Sequence, residues 1–299
     1  MHLFISGATG FVGSYLSRFF LEGGHQVTAT GTRATPQHLD QMGFHYLRAD
    51  TTVPGPWQDA LQEADVVVNL AGKGIFKRWT RRYKRQIYNS RILTTRNIVD
   101  ALAADSKVVL ISTSAVGYYG DRGDEVVTEL EPPADDFLGR VAVDWEKEAL
   151  AASDKGARVV LARFGVVMGK GGGALQQMLP AFKLFAGGPV GTGKQWFPWV
   201  HIHDVATAMR FLIDHEALNG AFNFTAPEPL RFAQLAATIG KQLHRPACLK
   251  TPGFMLKLTL GEMAGTLLAS QRVVPRRLID SGYVFQFPRL DGAIEDLLG

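Results

Sequence analysis

An apolar run, Leu3-Phe4-Ile5, stops at Ser6 and gives way at once to Gly7-Ala8-Thr9-Gly10-Phe11-Val12-Gly13. A stretch with apolar residues at helical spacing then runs on to Glu22. A strand that enters a helix through three glycines at this spacing has few folds open to it. Gly7 permits a tight turn, Gly10 lets the backbone approach a pyrophosphate, and Gly13 lets helix and strand pack closely. The opening turn of such a helix offers N–H groups without intrahelical acceptors and the positive end of the helix dipole, which suits a phosphate. The plain alternative is a glycine-rich turn that binds nothing. The position directly between strand and helix argues against it.

The same alternation continues along the chain. Residues 2–6, 26–30, 44–48, 66–70 and 108–112 read as short buried strands, rich in Val, Ile, Leu and Phe and bounded by Gly, Asp or Ser. Residues 11–22 and 81–104 read as helices, with Ile87, Ile92, Thr95 and Val99 on one face of the second. A helix at 145–152 and a strand at 158–162 follow. Strand and helix alternating in this way predict an α/β fold, a doubly wound parallel sheet of the Rossmann type. After Gly165 the pattern changes: loops at 169–173 and 187–193, helices at 174–185 and 204–214, a short strand at 221–224. We therefore expect a dinucleotide-binding domain over residues 1–165. A smaller C-terminal substrate region would cover 166–299, with part of 200–225 returning to the core.

Composition narrows the classes further. The chain has 299 residues, 46% hydrophobic and 20% charged, with a formal net charge of +4, which describes an ordinary globular protein with a mild attraction for anions. One cysteine, Cys248, provides neither a disulfide framework nor a zinc cluster, and a reduced, cytoplasmic setting is expected. His201 and His203 lack a third ligand at suitable spacing, so no metal site is expected. The run Leu3-Phe4-Ile5, ended by Ser6 and Gly7, is too short for a signal peptide's apolar core. Residues 254–269 are apolar, but Lys257 and Glu262 interrupt them. The stretch falls short of the roughly 20 residues a membrane span needs, and an amphipathic helix packed on the protein is expected instead.

The end of the second strand decides which dinucleotide is expected. An NAD site places a carboxylate about 20 residues beyond the glycine motif to bind the ribose 2′-hydroxyl. Here the segment reads Thr30-Gly31-Thr32-Arg33, and no acid occurs between Glu22 and Asp40. Arg33 offers a fork of donors that matches a 2′-phosphate, and Thr32 adds a hydroxyl. The expected cofactor is NADP(H), held by Gly7, Thr9, Gly10, Phe11, Val12 and Gly13 together with Thr32 and Arg33. The ligand crosses the carboxyl ends of the strands in this fold. Asp50, Leu70-Ala71-Gly72 and Ser112 stand at such ends and join the candidates, each of them equally able to be a strand-end turn.

With these residues in view, the chain resembles the atypical extended short-chain dehydrogenase/reductases, the epimerase-family proteins. The resemblance runs over nearly the whole length. Asn69-Leu70-Ala71-Gly72, Arg78-Trp79, Ser90-Arg91 and Thr94-Thr95 are similar to the group's middle signature, and Ser112 through Gly120 to its strand-five segment. Asp144-Trp145-Glu146, Arg163-Phe164-Gly165 and Trp199-Val200-His201-Ile202-His203-Asp204 follow in order, and the tail from Pro275 to Leu298 is similar to the group's own C-terminal module. The resemblance implies an NADP(H)-binding Rossmann fold and adds Arg163 to the expected cofactor contacts.

The superfamily's usual catalytic pair is absent. A tyrosine one helical turn before a lysine makes a usable acid/base at neutral pH, because the lysine stabilises the phenolate. None of the seven tyrosines here has a lysine four residues on, and the segment before Trp145-Glu146 reads Phe137-Leu138-Gly139-Arg140-Val141-Ala142. Ser114, which matches the superfamily's serine, either hydrogen-bonds a substrate oxygen or caps the strand. Tyr118 either contacts substrate or packs. His201 and His203 are expected to straddle a strand, with Asp204 capping the next helix. The basic run Lys73, Lys77, Arg78, Arg81, Arg82, Lys84, Arg85 is expected to be a solvated helix face with one or two phosphate contacts, not a nucleic-acid surface. Two functions remain open. One is an NADP(H)-dependent oxidoreductase or epimerase acting on a small carbonyl or sugar-like substrate. The other is a non-catalytic NADP(H)-sensing or regulatory protein. Either would act as a monomer or homodimer.

Overall fold

The computed structural model describes residues 1–33 and 42–299. Up to Phe164 the elements are β1 (His2–Ser6), α1 (Phe11–Glu22), β2 (Gln26–Gly31), β3 (Phe44–Arg48), β4 (Val66–Asn69), α2 (Arg81–Ala101), β5 (Val109–Ala115), β6 (Val126–Val127), α3 (Phe137–Leu150) and β7 (Arg158–Phe164). Next come β8 (Val166–Gly169), α4 (Gly173–Lys183), β9 (Trp196–Phe197), β10 (Trp199–His201), α5 (Ile202–Asp214), β11 (Gly220–Phe224), β12 (Leu230–Arg231) and α6 (Phe232–Leu243). The chain closes with α7 (Gly253–Leu260), α8 (Met263–Leu268), β13 (Arg272–Val273), α9 (Arg276–Asp280) and α10 (Leu290–Leu298).

Seven strands form one parallel sheet in the order β11-β7-β5-β4-β1-β2-β3. The chain fills one side from β1 through β3, then returns to fill the other from β4 onward. The direction therefore reverses between β1 and β4, and the carboxyl ends of these strands open a crevice there. Alternate side chains of β1 go to opposite faces. Leu3 and Ile5 pack with Leu16, Phe20, Met209 and Leu212 from α1 and α5. Phe4 packs with Val67, Ile98, Val99 and Ala149 on the other face, beneath α2 and α3. A third cluster joins Leu175 and Phe182 of α4 to Leu235 and Ile239 of α6 and to Ile294 and Leu297 of α10. Among the described residues, no helix is long and apolar enough to cross a membrane.

Three elements differ from the reading of the sequence, each for a local reason. Helix α3 starts at Phe137, not at residue 145, because the Asp136 side chain caps it by accepting from the Gly139 N–H at 2.7 Å. Helix α5 is capped by His201, whose Nδ1 accepts from the His203 N–H at 3.2 Å. His203 thus lies in α5, and Asp204 is a buried acceptor for the Gln286 and Phe287 N–H groups and the Tyr283 hydroxyl. The apolar stretch 254–269 is two helices, parted at Gly261, which takes φ +62°. The first, α7, has no buried side chain, and Phe254 and Leu258 are 72% and 76% exposed, so it does not pack as an amphipathic helix on the core.

Candidate functional site

The turn from β1 into α1 shows why its glycines are there. Gly7 takes φ +73°, which L side chains rarely adopt, and a Cβ on Gly13 would lie 2.4 Å from the Gly7 carbonyl oxygen. Helix α1 therefore sits directly on the turn. Its first laddered bond is from the Ser14 N–H to the Gly10 carbonyl at 2.9 Å. The N–H groups of Phe11, Val12 and Gly13 precede that ladder and are free for an anion. No side chain caps the helix and no acid stands in its first turn.

A groove of about 740 Å³ runs past this turn, along the carboxyl ends of β1, β2, β3 and β4. Gly7, Thr9, Gly10, Thr32, Arg33, Asp50, Leu70, Ala71 and Gly72 all line it. Arg33 is exposed, with its Nη1 3.4 Å from the Thr9 carbonyl, and the Tyr46 hydroxyl donates to the Arg33 carbonyl at 2.8 Å. Asp50 turns back on its own loop, accepting from the Thr52 N–H and hydroxyl. The opposite wall is fixed by a buried chain of polar contacts. The Ser6 hydroxyl donates to Asn69 at 2.7 Å, and the Asn69 amide and the Trp145 indole both donate to Thr95, at 2.8 and 2.9 Å. Of the basic run, Lys73, Arg82 and Arg85 reach the groove. With Arg33 they face one carboxylate there, Asp50, which leaves the groove an attractive place for a multiply charged anion.

Beyond the glycine turn lies a second cavity of about 310 Å³, reached past Phe11 and lined by β5's end, α3, the β7–β8 junction and α8. Its walls are largely apolar: Leu138, Val141, Ala142, Trp145, Phe164, Phe197 and Phe232 among them. The segment before Trp145-Glu146, where the superfamily's tyrosine and lysine would stand, does face this cavity and presents Leu138 and Ala142 one helical turn apart. No Asp, Glu, His, Cys, Tyr or Lys lines the cavity among the described residues.

Four expected site residues lie elsewhere. Ser112 and Ser114 are buried on β5. Ser114 donates to Glu146 at 2.6 Å and does not reach the cavity, so its hydroxyl is spent inside the protein and not on a substrate oxygen. Arg163 corrects the expectation of a cofactor contact. Its guanidinium is buried, forms a two-pronged pair with Glu146 at 2.8 Å on both arms, and donates to the Tyr119 hydroxyl and the Glu129 carbonyl. Burial opposes the charge on Arg163, but Glu146 outweighs it and holds the pKa above the ordinary value. Tyr118 stacks on that guanidinium, 3.7 Å from its centre, and is a packed aromatic. Tyr119, beneath it, donates to Asn223 at 2.7 Å, and burial pushes its pKa up to about 12.

One residue that the sequence reading left without a role stands in the second cavity. Arg91 occupies the inner face of α2, four residues after Ile87 and four before Thr95, both buried. A charge on the apolar face of a helix is the available signal.

The family model for the NAD dependent epimerase/dehydratase family matches residues 3–224, and a model for a domain of unknown function, DUF1731, matches residues 251–297. The epimerase family protein YfhF of Bacillus subtilis is 37% identical over 301 residues, spanning 100% of this chain and 98% of that protein. A chloroplastic SDR39U1 homolog of Arabidopsis thaliana is 35% identical over 302 residues, spanning 100% of this chain and 87% of its own length. The crystal structure of the human epimerase family protein SDR39U1 (isoform 2) with NADPH matches with a TM-score of 0.89 at 32% identity, over 100% of this chain and 99% of that chain.

Proposed function

Because the chain belongs to the NAD dependent epimerase/dehydratase family, we propose that it is an NADP(H)-dependent oxidoreductase acting on a small carbonyl compound. The observation that carries this reading is the largely apolar cavity beyond a groove lined by Arg33, Lys73, Arg82 and Arg85. The residues of the groove fit the cofactor. The N–H groups of Phe11, Val12 and Gly13 would take the diphosphate, while Thr32 and Arg33 would take the 2′-phosphate. That the human relative was solved with NADPH supports the same choice.

When bound, NADPH supplies a hydride. The carbonyl carbon accepts it, and the carbonyl oxygen takes one proton to give the alcohol. With no acid of near-neutral pKa lining the cavity among the described residues, the proton would come from a water molecule, and the hydroxide left behind would pass to bulk solvent. The walls contributed by Leu138, Trp145 and Phe164 would hold the substrate's apolar part.

The test is a screen of aldehydes, ketones and nucleotide sugars with NADPH oxidation as the readout. We expect turnover of at least one small carbonyl compound, with a rate that shows no ionisation break between about pH 6 and 9. A second reading, a cofactor-binding redox sensor, draws on Leu138 and Ala142 standing where an acid/base pair was sought. Tight NADPH binding without turnover across the whole screen would contradict the enzyme and support the sensor.

A further inference from the structure

The apolar cavity contains a single ionisable side chain among the described residues, that of Arg91. Its Nη1 donates to the Ile87 and Lys73 carbonyls at 3.0 and 3.1 Å, and its Cζ lies 5.1 Å from the centre of the Trp145 ring. These contacts fix the guanidinium but give it no counter-charge. Among the described residues no carboxylate pairs with it, and Nε and Nη2 donate to nothing. The apolar surroundings lower its pKa to about 10. A partly buried cation without an anion is costly to keep. The fold nevertheless makes room for it: a Cβ on Gly72 would lie 3.2 Å from the Arg91 Cζ, so a side chain at that turn would crowd the guanidinium.

The anion that completes Arg91 is not expected to be the cofactor's. Arg91 lines the apolar cavity and not the groove, whereas Lys73, Arg82 and Arg85 line the groove and not the cavity. The cavity also suits a sugar poorly. Its two amides, Gln195 and Gln271, already donate to the carbonyls of Val190, Val116 and Gly120. Several sugar hydroxyls would be desolvated against Leu138, Val141 and Phe164 without partners. At about 310 Å³ the space is at the small end for a ligand pocket, and one guanidinium is a thin match for a nucleotide's diphosphate.

Resting on the reading of the groove as the NADP(H) site, we propose that the substrate is a small, largely apolar oxo acid whose carboxylate pairs with Arg91 while a separate carbonyl takes the hydride, and not a nucleotide sugar. The carboxylate takes the donors that Nε and Nη2 present, and the apolar body fills the space between Trp145, Leu138 and Phe164. Arg91 is thereby a specificity-determining residue.

The test titrates NADPH-saturated protein by calorimetry with 1-naphthoate, with its neutral counterpart 1-naphthamide, and with UDP-glucose. We expect 1-naphthoate to bind at least about tenfold more tightly than the amide, as a charge-assisted pair requires, and UDP-glucose to give no binding heat. Arg91→Gln should bring the acid down to the amide's affinity, while Arg91→Lys should keep part of the preference, since the charge stays and the planar fork is lost. Equal affinities for acid and amide in the wild type, no binding of the acid, tighter binding of UDP-glucose, or an acid preference that survives Arg91→Gln would each overturn the proposal. So would a loss of NADPH affinity in Arg91→Gln with no acid preference in the wild type, which would assign Arg91 to the cofactor. If NADPH itself fails to bind, the reading of the groove falls separately, and the same pair of naphthalene probes on the free chain still tests Arg91.

Discussion

Glu146 holds two expected site residues at once. Its carboxylate receives both arms of Arg163 and the hydroxyl of Ser114, and the ion pair's side chains are 6% and 8% exposed. Removing one member of such a pair leaves the other charge buried and unpaired, which costs about 3–5 kcal/mol. We therefore expect Glu146→Gln to lower stability by that order in urea unfolding, while Ser114→Ala costs only about 0.5–1.5 kcal/mol. A Glu146→Gln variant as stable as the wild type would show that the pair is not structural. Neither Ser114 nor Arg163 could be assigned correctly from the sequence, because the partner that consumes their donors sits on another element and nothing in the spacing announces it. The turn from Gly7 to Gly13, by contrast, is legible as a strand-to-helix turn. Its geometry depends on backbone conformation and local order, which a short motif encodes.

At the scale of elements, strands β1 and β3 and helix α1 are where the apolar pattern puts them, because hydrophobic period and glycine punctuation agree there. Agreement weakens where a cap decides. Asp136 starts α3 ahead of the expected residue 145, and His201 caps α5 although Asp204 is the commoner cap type. The His201 cap has a consequence for pH. Burial outweighs the Asp296 carboxylate, 3.4 Å from Nε2, and lowers the His201 pKa to about 4. The unfolded chain, with a pKa near 6.5, takes up this proton first. The contribution of neutral His201 is therefore complete above pH 6.5 or so and is lost as pH falls toward about 4. Buried Glu129 and Asp204, raised by burial, act in the opposite sense over acid pH. The clean comparison is thus between variants: the fall in thermal midpoint from pH 7 to pH 5 should be smaller in His201→Gln than in the wild type. An equal or larger fall would contradict the assignment.

For the whole molecule, two spaces of different character meet at the carboxyl ends of one parallel sheet. The polar groove could be anticipated, since the fold dictates where it lies and Arg33 stands at its rim. The apolar cavity could not, because its walls come from α3, the β7–β8 junction, β9 and α8, segments far apart in the chain. Its chemistry depends on which of their side chains converge. The function proposed for the molecule requires the groove to accept a dinucleotide with a 2′-phosphate. Calorimetric titration of the wild type and of Arg33→Ala with NADPH and NADH tests this most directly. A charge-assisted contact to the phosphate predicts that NADPH binds the wild type at least about tenfold more tightly than NADH, and that Arg33→Ala removes most of that difference. Equal affinity for the two cofactors, or an undiminished NADPH preference in Arg33→Ala, would contradict it.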